Sequence, residues 1–287
     1  EILDIAAGGN MLFASVDNLG QITRNDAYID LHIDEILALD LVNVKAIKAA
    51  NLKVVVDGVN STGGIAIPLL LEALGVQPVK LFCTPNGEFP HNPEPLKEHL
   101  GALMTEVVTQ GADFGIVVDP DVDRLAFVDE KGEMFGEEYT LVAVADYVLA
   151  NTPGNTVSNM SSSRALRDIT NKHNGTYTAS AVGEVNVVQT MKDTKAVIGG
   201  EGNGGIIYPE LHYGRDSLVG VALFLSHLVE QKMAVSALRA SYPSYYMSKQ
   251  KIALTPQIDV DAILEKMADT YKACLLYTSP SPRDEVL

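Results

Sequence analysis

Positive charge is what this sequence is short of. It sets 21 lysines and arginines against 37 aspartates and glutamates, for a formal charge of −16. A nucleic-acid binder needs surplus cations to neutralise phosphates, so that class is excluded. Tryptophan is absent, and the only cysteines are Cys83 and Cys274. Two thiols make neither a disulfide framework nor a Cys-based zinc site. Long apolar runs are missing as well. The longest, Leu218 to Val229, is interrupted by Ser226 and His227 and falls well short of the roughly 20 residues that span a bilayer. There is no basic-then-apolar leader, and a cytoplasmic location is the expectation. The first residue is Glu1 rather than Met, so the chain is expected to be part of a longer protein.

What is present is an ordinary globular composition, 47% hydrophobic and 20% charged over 287 residues. That length suits two domains plus fragments. The pattern along the chain repeats once. A helix pattern at Tyr28–Leu37 precedes the strand Val54-Val-Val56, the loop Asp57–Gly64 and a helix from Ile65 to Leu74. A strand at Val79–Cys83 and a Pro-rich loop, Thr84–Pro95, come next. The strand Phe114–Val118 then leads into Asp119-Pro-Asp-Val-Asp-Arg124 and a hairpin through Glu130-Lys-Gly132. The second segment runs in the same order: a helix at Tyr139–Leu149, strand Asn155–Asn159, helix Arg164–His173 and strand Thr176–Ala179. After these come a helix to Met191, strand Ala196–Ile198 and the loop Gly199–Gly205. Alternating strands and helices predict two repeated mixed α/β modules with largely parallel sheets. Ligands bind at the carboxyl ends of such strands, where Asp119–Arg124 and Gly200–Gly205 hold equivalent places.

Asp119, Asp121 and Asp123 offer three hard oxygen donors in alternation, suited to Mg²⁺ or Ca²⁺ once the backbone turns. Without a cation they would repel one another. An EF-hand would use Glu130 at its twelfth position, but Arg124 stands where that loop needs glycine. Arg124 is placed to meet a phosphate held by the same metal. In the second loop, Glu201 and Asn203 can hydrogen-bond sugar hydroxyls while the glycines, Gly204 among them, let a ligand approach the backbone. Neither a P-loop nor a dinucleotide fingerprint is present. Ser61 or Thr62 is expected to cap the following helix, and Asp216 the apolar helix after it. His91 reads as a packed loop histidine or a proton carrier, and Arg164 as a surface residue. The scattered methionines read as core.

With these motifs in place, the chain resembles the α-D-phosphohexomutase superfamily of phosphoglucomutase, phosphomannomutase and phosphoglucosamine mutase. Asp119–Arg124 is similar to its Asp-Gly-Asp-Gly-Asp-Arg metal loop, and Gly200-Glu-Gly-Asn-Gly-Gly205 to its sugar loop. Asn86-Gly-Glu-Phe-Pro-His91, Val182-Gly183 and Gly214-Arg-Asp216 are supporting matches. The resemblance implies a Mg²⁺ cofactor held by Asp119, Asp121 and Asp123, and Arg124 on the transferring phosphate. It also implies a hexose phosphate gripped through Glu201, Asn203 and Gly204. The reaction implied is phosphate exchange between a phosphoserine and the sugar through a bisphosphorylated intermediate. The sugar loop is most similar to the phosphoglucosamine mutase branch, departing from bacterial members at Asn203 and Gly205. The family's serine loop and the phosphate clamp of its fourth domain have no counterpart here, so the chain alone is expected to be inactive.

The implied organisation is a remnant of domain 1 at 1–26, domain 2 at 27–133 and domain 3 at 134–245. A linker and the start of domain 4 occupy 246–273, and 274–287 is expected to be an adapter-derived tail. The alternatives are a phosphomannomutase/phosphoglucomutase and, more remotely, a metal-dependent glycosyltransferase or a non-catalytic sugar-phosphate binder.

Overall fold

A computed structural model describes residues 2–8, 13–247, 253–255 and 258–270. Helix α1 (Ile2–Gly8) precedes the first module, which contains α2 (Tyr28–Leu37), α3 (Val44–Ala50) and β1 (Lys53–Asp57). It continues through α4 (Gly63–Ala73), β2 (Gln77–Leu81), α5 (Gly101–Gln110), β3 (Phe114–Val118) and β4 (Leu125–Asp129). The second module runs α6 (Glu137–Asn151), β5 (Asn155–Asn159), α7 (Ala165–Lys172), β6 (Tyr177–Ser180), α8 (Glu184–Thr194), β7 (Ala196–Gly200) and β8 (Ile206–Ile207). Helices α9 (Ser217–Gln231), α10 (Val235–Ala240) and α11 (Val260–Thr270) follow.

The repeat in sequence is a repeat in topology. One sheet has the order β2-β1-β3-β4 and the other β6-β5-β7-β8. In each, the first three strands are parallel and the last is antiparallel. Strands β3 and β4 are buried at all five residues, so both of their faces must be covered by other elements. The β3–β4 turn therefore places Asp119–Arg124 at the carboxyl edge of the first sheet. The β7–β8 turn places Glu201–Gly205 at the same edge of the second.

Helix α9 explains the apolar run. Every residue from Ser217 to Leu228 is buried, because the helix packs on α6 of its own module and on α2, α3 and α4 of the other. Phe224 stacks on Phe127 of β4 with ring centroids 3.9 Å apart and meets Phe114 and Phe135 edge-on. Tyr147 of α6 donates to the carbonyl of Leu41, and Ser226 Oγ accepts the Asn43 amide. The modules thus share one core, which holds their two loops in a common frame.

Among the methionines, Met191 is fully buried, whereas Met233, Met247 and Met267 are exposed at 44%, 41% and 39%. The expectation that methionines are core is corrected for these three. The helix expected at Val260–Tyr271 is described to Thr270. The residues expected to open a fourth domain, Ser248–Leu254, lie mostly outside the described residues, as does the segment 274–287 with Cys274. Among the described residues, no helix is long and apolar enough to cross a membrane.

Candidate active site

The aspartate loop turns as the alternating carboxylates require. Val122 takes a positive φ of 63°, its amide donates to the Asp119 carbonyl, and the Asp119 amide reaches back to Arg124. The carboxylates of Asp119, Asp121 and Asp123 then lie within 4.8 Å of one another. Asp119 uses Oδ1 to accept the amides of Asp123 and Arg124, both at 3.0 Å. Burial raises its pKa, with those hydrogen bonds pulling the other way. Asp123 is pushed up to about 7, first by burial and then by the charge of Asp119. Two partly buried carboxylates that resist ionising together form a site short of positive charge. Three hard oxygen donors at that spacing fit a divalent cation such as Mg²⁺. The EF-hand alternative is removed, because Glu130 is turned away and accepts both the hydroxyl and the amide of Ser236 on α10.

Arg124 projects from the end of the loop. Its Nε lies 3.5 Å from Asp119 and 3.8 Å from Asp123, and its terminal nitrogen is 3.5 Å from Glu94 of the Pro-rich loop. That Nε is buried without an acceptor in hydrogen-bond geometry. An unsatisfied buried guanidinium N–H is costly, and the side chain as a whole is 32% exposed, so its accessible end can still meet an anionic ligand.

The glycine-rich loop meets the aspartate loop directly. The Leu125 amide, next to Arg124, donates to the Gly204 carbonyl at 3.2 Å. Gly204 has φ +90°, and a Cβ there would fall 2.1 Å from the Leu125 carbonyl oxygen, so only glycine permits this approach. Glu201 is 4% exposed. Its Oε1 accepts from Asn159 at 2.8 Å and its Oε2 from Arg215. Asn203 folds its Oδ1 back onto the Gly205 amide at 3.2 Å. Glu201 and Asn203, read in the sequence as ligands to sugar hydroxyls, therefore also brace their own loop.

The residue that sequence reasoning missed is Arg215. Its guanidinium touches Asp123 of one loop and Glu201 of the other. Its Nε lies 3.4 Å from Glu184 at the start of α8. Burial opposes its charge, but these carboxylates together raise its pKa. The sequence signal was the tripeptide Gly214-Arg-Asp216, which supported the family resemblance and a helix cap at Asp216 but gave Arg215 no role. That capping is observed: Asp216 Oδ1 accepts the amides of Leu218 and Val219.

A second group, His32, His212 and Asp216, also brings possible metal ligands together. Both histidines approach Asp216 Oδ2 through Nε2, at 2.7 and 3.1 Å. The Gly214 amide donates to His212 Nδ1 at 2.9 Å, which leaves the His212 proton on Nε2. A protonated ring nitrogen cannot ligate a metal, so this group is a hydrogen-bonded brace. Burial pushes the Asp216 pKa up, but the bonds from His212 and His32 outweigh it and hold the carboxyl far below the usual range.

The structure also bears on three further expectations. Neither Ser61 nor Thr62 caps α4 through its side chain. Ser61 instead donates to the Pro120 carbonyl of the aspartate loop at 2.6 Å, because Thr62 already has helical backbone angles. His91 has both nitrogens engaged, Nε2 with buried Asp57 at 2.9 Å and Nδ1 with the Asn92 carbonyl at 2.7 Å. It is a packed loop histidine, with no free nitrogen for proton transfer. Arg164 occupies the N-cap position of α7 and is exposed.

The comparisons with known proteins agree with this layout. Family models for the phosphoglucomutase/phosphomannomutase α/β/α domains II and III match residues 30–132 and 136–246. A phosphoglucomutase/phosphomannomutase of Thermococcus kodakarensis is 34% identical over 258 residues, which is 89% of this chain and 56% of that protein. A phosphoglucosamine/phosphogalactosamine mutase of Sulfurisphaera tokodaii is 30% identical over 259 residues, covering 88% and 56%. The crystal structure of a phosphoglucomutase/phosphomannomutase family protein from Burkholderia thailandensis superposes with a TM-score of 0.72 at 26% identity, over 85% of this chain and 51% of that one. The chain thus spans about half the length of the curated relatives it matches. With both domain models matched over most of its length and a relative 34% identical over 89% of it, the chain belongs to the phosphoglucomutase/phosphomannomutase family.

Proposed function

We propose that this chain forms the metal-binding and sugar-binding centre of a phosphohexomutase, an isomerase that moves a phosphoryl group within a hexose phosphate. The observation that carries this reading is the direct junction of two loops. A cluster of three carboxylates and a buried Glu201 share a single guanidinium, that of Arg215. Asp119, through its Oδ2, would hold Mg²⁺ with Asp121 and Asp123. Bound there, the ion would neutralise charge on the transferring phosphoryl group. Arg124, whose side chain is 32% exposed, would donate to a phosphate oxygen from the accessible end of its guanidinium. Asn203 and the Gly204 backbone would orient the sugar, and Glu201 would fix the loop that carries them. The phosphoryl-carrying serine would come from another part of the longer protein, through a bisphosphorylated intermediate. A cytoplasmic location suits this role.

The charge balance supports an amino sugar as substrate. Around the junction stand six carboxylates, Asp119, Asp121, Asp123, Glu94, Glu184 and Glu201, against the guanidiniums of Arg124 and Arg215 and the two charges of the proposed Mg²⁺, which still leaves negative charge in excess. An ammonium group on the sugar would relieve that excess where a hydroxyl would not. The relative from Sulfurisphaera tokodaii is named for amino-sugar phosphates. The conversion proposed is glucosamine 6-phosphate to glucosamine 1-phosphate. The test is an assay of the full-length gene product with glucosamine, mannose and glucose phosphates side by side. A preference for glucosamine phosphate of about tenfold or more, some 1.4 kcal/mol of transition-state binding, is expected. Equal rates on all three sink the amino-sugar assignment, and no turnover with any of them sinks the mutase reading.

A further inference from the structure

We propose that Arg215 is the residue through which cation binding at the aspartate loop is transmitted to the sugar loop. The inference rests on the reading of Asp119, Asp121 and Asp123 as a cation site.

Three features make Arg215 a link rather than a surface ion pair. First, the guanidinium is a rigid planar fork, with one terminal nitrogen on Asp123 and the other on Glu201. A displacement of one carboxylate is felt by the other through a group that cannot bend. Second, the backbone beneath it is anchored. The Arg215 amide donates to Glu184 Oε1 at 3.1 Å, and the next residue, Asp216, is pinned as the cap of α9 by the amides of Leu218 and Val219. The fork can answer a change at Asp123 only by moving its side chain. Third, that side chain lies across the loop it would move. A Cβ on Gly205 would come 2.6 Å from Arg215 Cδ.

The direction of the effect follows from charge. A divalent cation at the aspartate loop draws the negative charge of Asp123 toward itself and weakens its hold on Arg215. The guanidinium is then left to Glu201 and Glu184, which lie on the sugar side. Glu201 is fixed on its far side by Asn159 at 2.8 Å, so a tighter Arg215 contact stiffens the loop. Its amides give the readout. Glu201 N–H donates to the Gly205 carbonyl at 3.0 Å, Gly204 N–H to the Glu201 carbonyl at 3.3 Å, and Gly205 N–H to Asn203 Oδ1 at 3.2 Å. Linkage makes the effect reciprocal: a ligand that orders the sugar loop raises cation affinity by the same factor.

A second connection exists, the bond from the Leu125 amide to the Gly204 carbonyl, and the experiment must separate the two. Amide hydrogen exchange of the chain is followed with and without Mg²⁺ for wild type, Arg215→Ala and Arg215→Lys. Arg215→Lys keeps the charge but has no fork to span two carboxylates, and it serves if Arg215→Ala fails to fold. In wild type, Mg²⁺ is expected to slow exchange in segment 119–124 and, by about tenfold, at Glu201, Gly204 and Gly205. In Arg215→Lys the slowing at 119–124 persists while that at 201–205 drops below about twofold. Equal slowing at 201–205 in the variant assigns the coupling to the Leu125–Gly204 bond and overturns the proposal. Slowing confined to 119–124 in wild type overturns the coupling and leaves the cation site standing. No slowing at 119–124 overturns the cation site, and the coupling with it.

Discussion

Gly205 leaves the space that Arg215 occupies: a Cβ at position 205 would stand 2.6 Å from Arg215 Cδ and 3.3 Å from its Cγ. Gly204, one residue earlier, would instead drive a Cβ to 2.1 Å from the Leu125 carbonyl oxygen, with φ at +90°. The neighbours thus fail differently when substituted. Gly205→Ala meets a side chain that can swing aside, at a cost of about 1 kcal/mol and the loss of the Arg215 contacts. Gly204→Ala meets backbone in a conformation L-residues avoid, and should cost about 3 kcal/mol or more. Urea denaturation of the two variants checks the order. If Gly205→Ala is the more damaging, the described packing of the loop is wrong.

Much of this arrangement was legible in the sequence, and the limits have physical causes. The repeat was readable because buried parallel strands such as Val54–Val56 are continuous apolar runs ended by glycine-rich loops. The convergence of Asp119, Asp121 and Asp123 was readable because three alternating aspartates directly follow an apolar strand at the point where the backbone turns. Arg215 was not, because its partners Asp123, Glu184 and Glu201 are scattered along the chain and converge only through the shared core beneath α9. The role of Ser61 was mistaken for the same reason. Capping is a local rule, whereas its partner Pro120 sits 59 residues away.

Ser61 and Thr62 separate the local rule from the tertiary contact. Ser61→Ala removes the 2.6 Å bond to the Pro120 carbonyl and should lower stability by about 1 kcal/mol. Thr62→Ala removes no capping bond and should stay within about 0.5 kcal/mol. Thermal unfolding of both variants decides it. A larger loss at Thr62 would restore the capping role.

Asp121 is the exposed member of the carboxylate cluster, and its charge adds to the rise in pKa of both Asp119 and Asp123. Asp121→Asn therefore removes repulsion in the metal-free chain and a ligand from the loaded one. Without Mg²⁺ the variant should be at least as stable as wild type. With Mg²⁺ about a hundredfold above its dissociation constant, wild type should gain roughly 2.7 kcal/mol, and the variant at the same concentration most of a kilocalorie less or lower still. Melting curves with Mg²⁺ and with chelator supply the comparison. An unchanged Mg²⁺ shift in Asp121→Asn would place the ion elsewhere.

His227, on α9 in the shared core, is expected to contribute to the loss of stability in acid. It is 2% exposed, with Nε2 on the Tyr242 hydroxyl at 2.9 Å and Nδ1 buried without a partner. Burial lowers its pKa from 6.5 to about 4, against a smaller opposing pull from Asp146. At pH values between these two, the unfolded chain binds a proton on His227 that the folded chain does not. Stability contributed by the neutral imidazole is complete above the unfolded value and is lost as pH falls toward the folded one. The loss should amount to about 3 kcal/mol at most. Carboxylates titrate in the same window, so the effect is isolated by comparison with His227→Gln, which keeps a donor for Tyr242 but cannot take up the proton. Urea midpoints measured from neutral pH down to about pH 4 should fall more steeply for wild type than for His227→Gln. Parallel curves would mean that His227 keeps an ordinary pKa and that acid unfolding begins elsewhere.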